Sequence, residues 1–243
     1  MAELDHLRIV AAGASHLGLI RGQNEDRFLV APPLFAVADG MGGHPGGDLA
    51  AATAVEALER GVRAIEAGQT SLLDLMAATN RAVYEAGSRA GLPGLGTTLT
   101  VLFADGVRAE VAHVGDSRAY LWRDLALVRL TEDHTIVRQL IRAGQLSEEQ
   151  ASKHPSRSTL ARAVGPDEGV LIDHLTIRLR AGDVLLLCTD GLTSMVSESE
   201  IGAILAREPA PRSACDLLVE AAVSAGGRDN VTAIVAEVGS PPG

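Results

Sequence analysis

The chain has 243 residues, 47% of them hydrophobic, and carries a formal charge of −10 at neutral pH. That is ample apolar material for a core in one large domain or two small ones, and the negative balance, with no block of Lys or Arg, argues against a surface that tracks nucleic-acid phosphates. Three Phe, two Tyr and one Trp leave the core to Leu, Val, Ile and Ala, and the only cysteines, Cys188 and Cys215, lack the spacing of a zinc site or a disulfide framework, which points to a reducing, cytoplasmic compartment.

The start, MAELDHLRIV, is acidic and does not read as a secretory signal, and no apolar run reaches the roughly 18 residues of a membrane span, so no membrane contact is expected. Residues 7–16 read as a strand. The turn-like GLIRGQNED then leaves Arg21, Glu25 and Asp26 exposed in a connection, and a second strand is predicted at 27–31. FAVA, residues 35–38, is a short buried strand that delivers Asp39 to the glycine-dense turn DGMGGHPGG, which contains Gly40 and His44. Apolar spacing at Leu49, Ala54, Leu58 and Ile65 predicts a helix over 47–67, and a second helix is predicted over 71–90 with Ser71 and Asp74 at its start.

The pattern then turns to strands. LGTTLTVLFADG, VRAEVAHVGD, RAYLWRD and LALVRL predict an antiparallel meander with a hairpin at Asp105-Gly106. Residues 131–165 are polar and helical in pieces, with a capping box at Ser147 and Gln150, and read as an insertion or lid over a site. Strands return at 171–179 and 183–189. Helices follow at 197–207, capped by Ser197 and Glu200, and at 213–225, and a strand at 231–238 closes the pattern. Strand blocks separated by helix pairs predict an α+β fold, a mostly antiparallel sheet pair with helices outside, spanning residues 1–239 as one domain, with 240–243 as a tail or the start of a linker.

One grammar recurs four times. Asp39 closes a strand before glycines, Gly115-Asp116 ends VAHVGD, Asp190-Gly191 ends an apolar run, and Asp229 stands just ahead of the last strand. A single such aspartate is an ordinary turn or cap residue. Four from distant parts of the chain suggest carboxylates converging on a hard divalent cation such as Mg²⁺ or Mn²⁺. Singly, each candidate has an ordinary reading too: Arg21 in a surface salt bridge, His44 in a turn, Glu25 and Asp26 as a solvated pair, Asn230 as a cap. The remaining histidines show no H-x-x-x-H or similar ligand spacing.

Taken together, RGQNEDR from Arg21, DGMGGH from Asp39, LGTTLT from Leu95, HVGDSR from His113, TDGL from Thr189 and DNVT from Asp229 resemble the metal-dependent Ser/Thr protein phosphatases of the protein phosphatase 2C type in their bacterial form. The similarity runs in order along nearly the whole chain. It implies a central β-sandwich of two antiparallel sheets flanked by pairs of helices, with two Mn²⁺ or Mg²⁺ ions at the sheet ends and a third in bacterial members. By that resemblance Asp39 bridges two metals, the Gly40 carbonyl, Asp190 and Asp229 complete the pair, Glu25 acts through water, and Asp116 with Asp190 holds the third ion. Arg21 matches the phosphate-binding arginine and 131–165 the flap. The family's general acid is a histidine near the first aspartate, which makes His44 the candidate, with Met41 right after Asp-Gly as in other bacterial members.

The implied chemistry is attack on phosphorus by a metal-activated water, with Arg21 gripping the phosphate and His44 or a bound water protonating the leaving alkoxide. Substrates are then phosphoserine and phosphothreonine proteins, and the enzyme opposes Ser/Thr kinases, which are themselves candidate partners. A cysteine-dependent phosphatase is excluded, because the sixth residue after Cys188 is Ser194 and after Cys215 is Ala221, where an Arg is needed. Two other readings stay open: a catalytically silent phosphate-sensing or partner-binding domain on the same fold, and a phosphatase acting on phosphoserine anti-sigma antagonists.

Overall fold

The computed structural model describes residues 7–41, 46–208 and 210–240. The first half contains β1 (Arg8–His16), β2 (Asp26–Ala31), β3 (Leu34–Met41), α1 (Gly46–Glu66), α2 (Leu72–Ala90), β4 (Gly96–Thr97), β5 (Leu99–Asp105) and β6 (Arg108–Val114). The second contains β7 (Arg118–Arg123), β8 (Ala126–Arg129), α3 (Ile136–Arg142), α4 (Glu148–Ser152), β9 (Asp173–Arg178), β10 (Val184–Cys188), α5 (Asp190–Thr193), α6 (Glu198–Arg207), α7 (Pro211–Ser224) and β11 (Val231–Gly239). One sheet runs β1-β11-β10-β7-β8. The other runs β2-β3-β5-β6-β9, with β4 paired to the end of β3, and every pairing is antiparallel.

Strand alternation explains the layering. Along β10, Leu185 and Leu187 face the other sheet while Val184, Leu186 and Cys188 face α6 and α7; β11 does the same with Ile234, Ala236 and Val238 against Val231, Ala233 and Val235. In the second sheet Phe35, Val37 and Leu102 point inward, and Leu34, Ala36, Ala38, Leu99 and Val101 meet the helices α1 and α2. Both faces of the central strands are therefore buried, so they read as continuous apolar runs although their neighbours are antiparallel. Ala50, Ala51 and Ala54 line the buried face of α1 and let it lie close on β3. The result is the expected α+β sandwich in four layers.

The helix starts behave as their sequences require. Ser71 accepts the Asp74 N–H, and Ser147 with Gln150 and Ser197 with Glu200 form full capping boxes. Three details differ from the sequence reading. The strand carrying Asp39 does not stop before it, because Gly40 and Met41 continue β3 by pairing with Thr97 and Gly96 of β4. Asp190 opens the helical turn α5 rather than ending a strand. The meander is split: β5 and β6 pair in one sheet, β7 and β8 in the other, and the chain crosses between sheets over Gly115, Asp116 and Ser117. Gly115 turns the chain there with φ +115°.

Ile234 is fully buried between the sheets. Ile234→Ala should lower stability by about 2–5 kcal/mol, read as a shift of the denaturant midpoint at unchanged slope.

Candidate active site

The aspartates singled out in sequence meet at one end of the sandwich. Arg21 and Glu25 come from the β1–β2 connection, Asp39 and Gly40 from β3, Asp116 from the crossing between sheets, Asp190 from the start of α5, and Asp229 from the turn into β11. All seven line one cleft of about 380 Å³, together with Met41 and Thr98. Ser158, Thr159 and Leu160 of the 131–165 segment close part of its wall. His44 lies outside the described residues.

Local chain geometry puts each carboxylate in place. The Asp39 N–H donates to Thr98 Oγ1 (3.0 Å), and the Asp39 carbonyl accepts from Thr97 Oγ1 and the Thr98 N–H (both 2.9 Å). Thr98 Oγ1 also bonds Ser117 Oγ at 2.7 Å, one residue past Asp116. Gly191, next to Asp190, packs on the turn that carries Asp229: a Cβ there would lie 1.9 Å from the Asn230 carbonyl oxygen. Only glycine allows that approach. Asn230 straps the first loop to the same turn. Its Oδ1 accepts the Glu25 N–H, and its Nδ2 donates to the carbonyls of Leu17 and Gln23. It is a strap, not the cap its sequence suggested.

Asp26 corrects the sequence reading. Expected in an exposed connection, it is 3% exposed, because it opens β2 directly opposite Asp39 and turns inward. Its Oδ2 accepts from Thr189 Oγ1 (2.8 Å) and Thr232 Oγ1 (2.7 Å), while its Oδ1 has no hydrogen-bond partner among the described residues. The motifs LGTT and DNVT thus hold residues the sequence reading left without a role: Thr98, Thr232 and Asn230 orient the site rather than line it with charge. Arg21 does make a salt bridge, at 2.7 Å, but its partner is Asp229, another candidate site residue.

The electrostatics are those of crowded acids. Burial, then repulsion from Asp26, Asp190, Asp116 and Asp229, holds the Asp39 carboxyl well above the usual range. Burial and the nearby Asp190 push Asp116 up to about 8, burial pushes Asp26 up to about 7 against the pull of its two threonine hydroxyls, and burial with the neighbouring Asp229 raises Asp190. Arg21 and Arg118 relieve only part of this. An all-oxygen donor set, mutually repelling and short of cationic partners, fits hard divalent ions such as Mg²⁺ and Mn²⁺ and not softer metals. The orphan Asp26 Oδ1 adds a further acceptor beside it.

Comparison with known proteins identifies the family and the fold. The sequence profile described as Protein phosphatase 2C matches residues 13–219. The chain belongs to the protein phosphatase 2C family. Within that family, the serine/threonine phosphatase stp of Listeria monocytogenes is 38% identical over 232 residues, covering 90% of this chain and 92% of that protein. The serine/threonine protein phosphatase PstP of Mycobacterium tuberculosis is 40% identical over 232 residues, which is 93% of this chain and 44% of that longer protein. The crystal structure of the M. tuberculosis phosphatase PstP/Ppp is similar with a TM-score of 0.87 at 36% identity, covering 95% of this chain and 99% of that one. The catalytic domain of PstP in complex with two manganese ions is similar with a TM-score of 0.85 at 34% identity, covering 96% and 100%. The protein phosphatase 2C fold is thus the two-sheet sandwich expected from the sequence.

The raised carboxyls fix a pH dependence. Above about pH 7, buried His113 and His134, both shifted down, are neutral in the folded chain and largely so in the unfolded one. An acid whose folded pKa lies above its unfolded value binds extra protons when folded, so its stabilisation is lost as pH rises through the folded value. With Asp116 near 8, the chelator-treated protein should melt at a lower temperature at about pH 8.5 than at about pH 7. Saturating Mn²⁺ should flatten that slope. A melting temperature that holds or rises over this range without metal would contradict the assignment.

Proposed function

We propose that the chain is a protein Ser/Thr phosphatase that hydrolyses phosphoserine and phosphothreonine at a Mn²⁺ or Mg²⁺ centre. The observation that carries this is the convergence of Glu25, Asp39, Asp116, Asp190 and Asp229 with Arg21 in one cleft. Asp39, the Gly40 carbonyl, Asp190 and Asp229 would hold two ions, with Glu25 acting through water, and Asp116 with Asp190 would hold a third. Bound there, the ions supply the Lewis acidity that ionises a water near neutral pH and a sink for charge on the phosphoryl oxygens.

The chain's own residues do the rest. Arg21 offers a planar guanidinium that grips phosphate oxygens bidentately and offsets the charge gathering on them. Its side chain is 55% exposed, so an incoming phosphate can reach it. Asp26, buried directly across from Asp39, accepts from the Thr189 and Thr232 hydroxyls. Water oxygen attacks phosphorus, the bond to the seryl or threonyl oxygen breaks, and that oxygen takes a proton, for which His44 is the candidate donor. The products are the alcohol side chain and inorganic phosphate.

The substrate is read as a polypeptide because the cleft opens beside a second cavity of about 430 Å³ that shares Asp116, Ser158 and Asp190 with it. Val137 and Ile141 give that cavity an apolar side, and Arg138, paired with Glu148, and Arg157 give it a polar one, suited to the residues flanking a phosphorylated side chain. Residues 131–165 would then act as a flap over bound substrate, within one catalytic domain. Such an enzyme reverses Ser/Thr kinases in the cytosol. No helix among the described residues is long and apolar enough to cross a membrane.

Hydrolysis of a phosphothreonine peptide should require Mn²⁺ or Mg²⁺, stop with EDTA, and fall in Asp39→Asn to the level of the chelated enzyme. Absence of turnover with any divalent metal, in a folded sample, would make the chain a binding domain instead. In a separate steady-state comparison, Arg21→Ala should lose about 100-fold in kcat/KM, and a variant with unchanged kcat/KM would remove Arg21 from the phosphate site.

A further inference from the structure

The turn that carries Asp116 is held from outside the cleft, and the residue holding it is His134. The His134 N–H donates to the Gly115 carbonyl at 2.7 Å, and the Gly115 N–H donates to His134 Nδ1 at 3.1 Å. One residue thus grips both polar groups of Gly115. The Gly115 carbonyl lies in the same rigid peptide plane as the Asp116 nitrogen, so fixing that oxygen fixes the direction in which Asp116 leaves the backbone. Two residues beyond Asp116, Arg118 donates to both carboxylate oxygens of Asp133, at 3.0 and 2.8 Å. Residues 133 and 134 therefore bracket Asp116 from either side.

The same histidine reaches the cleft by a second route. Its carbonyl accepts the Ala161 N–H at 2.7 Å, next to Leu160, which lines the cleft. Its ring is set by burial at 5% exposure, by Asp173 Oδ2 3.2 Å from Nε2, and by the His113 ring with centroids 4.7 Å apart. Because Nδ1 accepts from Gly115, the ring proton sits on Nε2, facing Asp173. Asp173 is in turn held by Arg162 at 2.7 Å. Gly115 can hold φ +115° here because it lacks a Cβ, which would lie 2.6 Å from Thr98.

We propose that His134 is a positioning residue: through Nδ1 and its backbone N–H it sets the Gly115–Asp116 peptide so that the Asp116 carboxylate is aimed at a metal ion, and through its carbonyl it ties that turn to Ala161, next to the cleft-lining residues 158–160. This rests on the phosphatase reading above, in which Asp116 and Asp190 hold the ion beyond the first two. Partners of this kind, which orient a ligand without touching the metal, typically change metal affinity about 10- to 100-fold.

The test compares His134→Asn, whose amide oxygen falls near the place of Nδ1, with His134→Gln, whose amide reaches the place of Nε2 and leaves Gly115 without an acceptor. Circular dichroism and thermal melts establish that both fold. In metal-free protein, amide exchange at Gly115 should accelerate in His134→Gln and stay near wild type in His134→Asn. In a Mn²⁺ titration followed by calorimetry, the weakest-bound ion should lose about 10- to 100-fold in affinity in His134→Gln, with tighter ions unchanged, and His134→Asn should restore it. Unchanged weak-site affinity in His134→Gln, equal weakening of every ion, or failure of His134→Asn to restore it would overturn the proposal. A wild-type chain that takes up no Mn²⁺ would instead overturn the phosphatase reading, while the Gly115 exchange would still report whether the clamp exists.

Discussion

The structure depends on one electrostatic constraint: five carboxylates line a single cleft, with the buried Asp26 directly across from Asp39. Burial and mutual repulsion both act against charge, and the few cationic groups nearby do not offset them. A chain selected only for stability would replace such a cluster with apolar residues. Its cost is borne by the rest of the sandwich, where the inter-sheet layer and the two sheet–helix layers are almost wholly aliphatic. The cluster sits at one end of the sheets, so ligand entry does not disturb those layers.

Around the acids stands a shell of small neutral groups. Thr98 holds the Asp39 backbone and Ser117, Thr189 and Thr232 hold Asp26, and Asn230 holds the loop that carries Glu25. Hydroxyls and an amide suit this role because each bonds a carboxylate or a backbone group without adding charge that would compete with a cation. Segments from both sheets are locked together this way. These bonds tie together the segments that carry Asp39, Asp190 and Asp229.

Much of this was legible in the sequence. Asp39, Asp116 and Asp190 each stand next to a glycine, and such punctuation survives without coordinates. Helix ends were legible for the same reason, since Ser147 and Ser197 act on residues three positions away. The hidden features are non-local. Asp26 meets Thr189 and Thr232 across 163 and 206 positions, and nothing in the exposed-looking GLIRGQNED signals that its last residue turns inward. The sheet assignment of β6 and β7 was hidden too: both are short apolar strands beside a glycine, and a hairpin and a crossing between sheets leave the same local trace.

The contrast between rim and floor explains how one cleft can be both fixed and responsive. At the floor, the contacts of Asp26 with two buried threonines and the Asp39 backbone with Thr98 are shielded from water, and leaving such groups unpaired is expensive. At the rim, the Arg21–Asp229 pair has side chains 55% and 33% exposed, and exposed pairs contribute only about 0–1 kcal/mol. In the proposed mechanism Arg21 would thus be cheaply released to a phosphate, and Asp229 to a cation, each exchange replacing one opposite charge with another. The floor keeps the carboxylates aimed while the rim changes partners. If Asp229 serves both the arginine and a cation, as proposed, each of these two exchanges leaves it beside a positive charge.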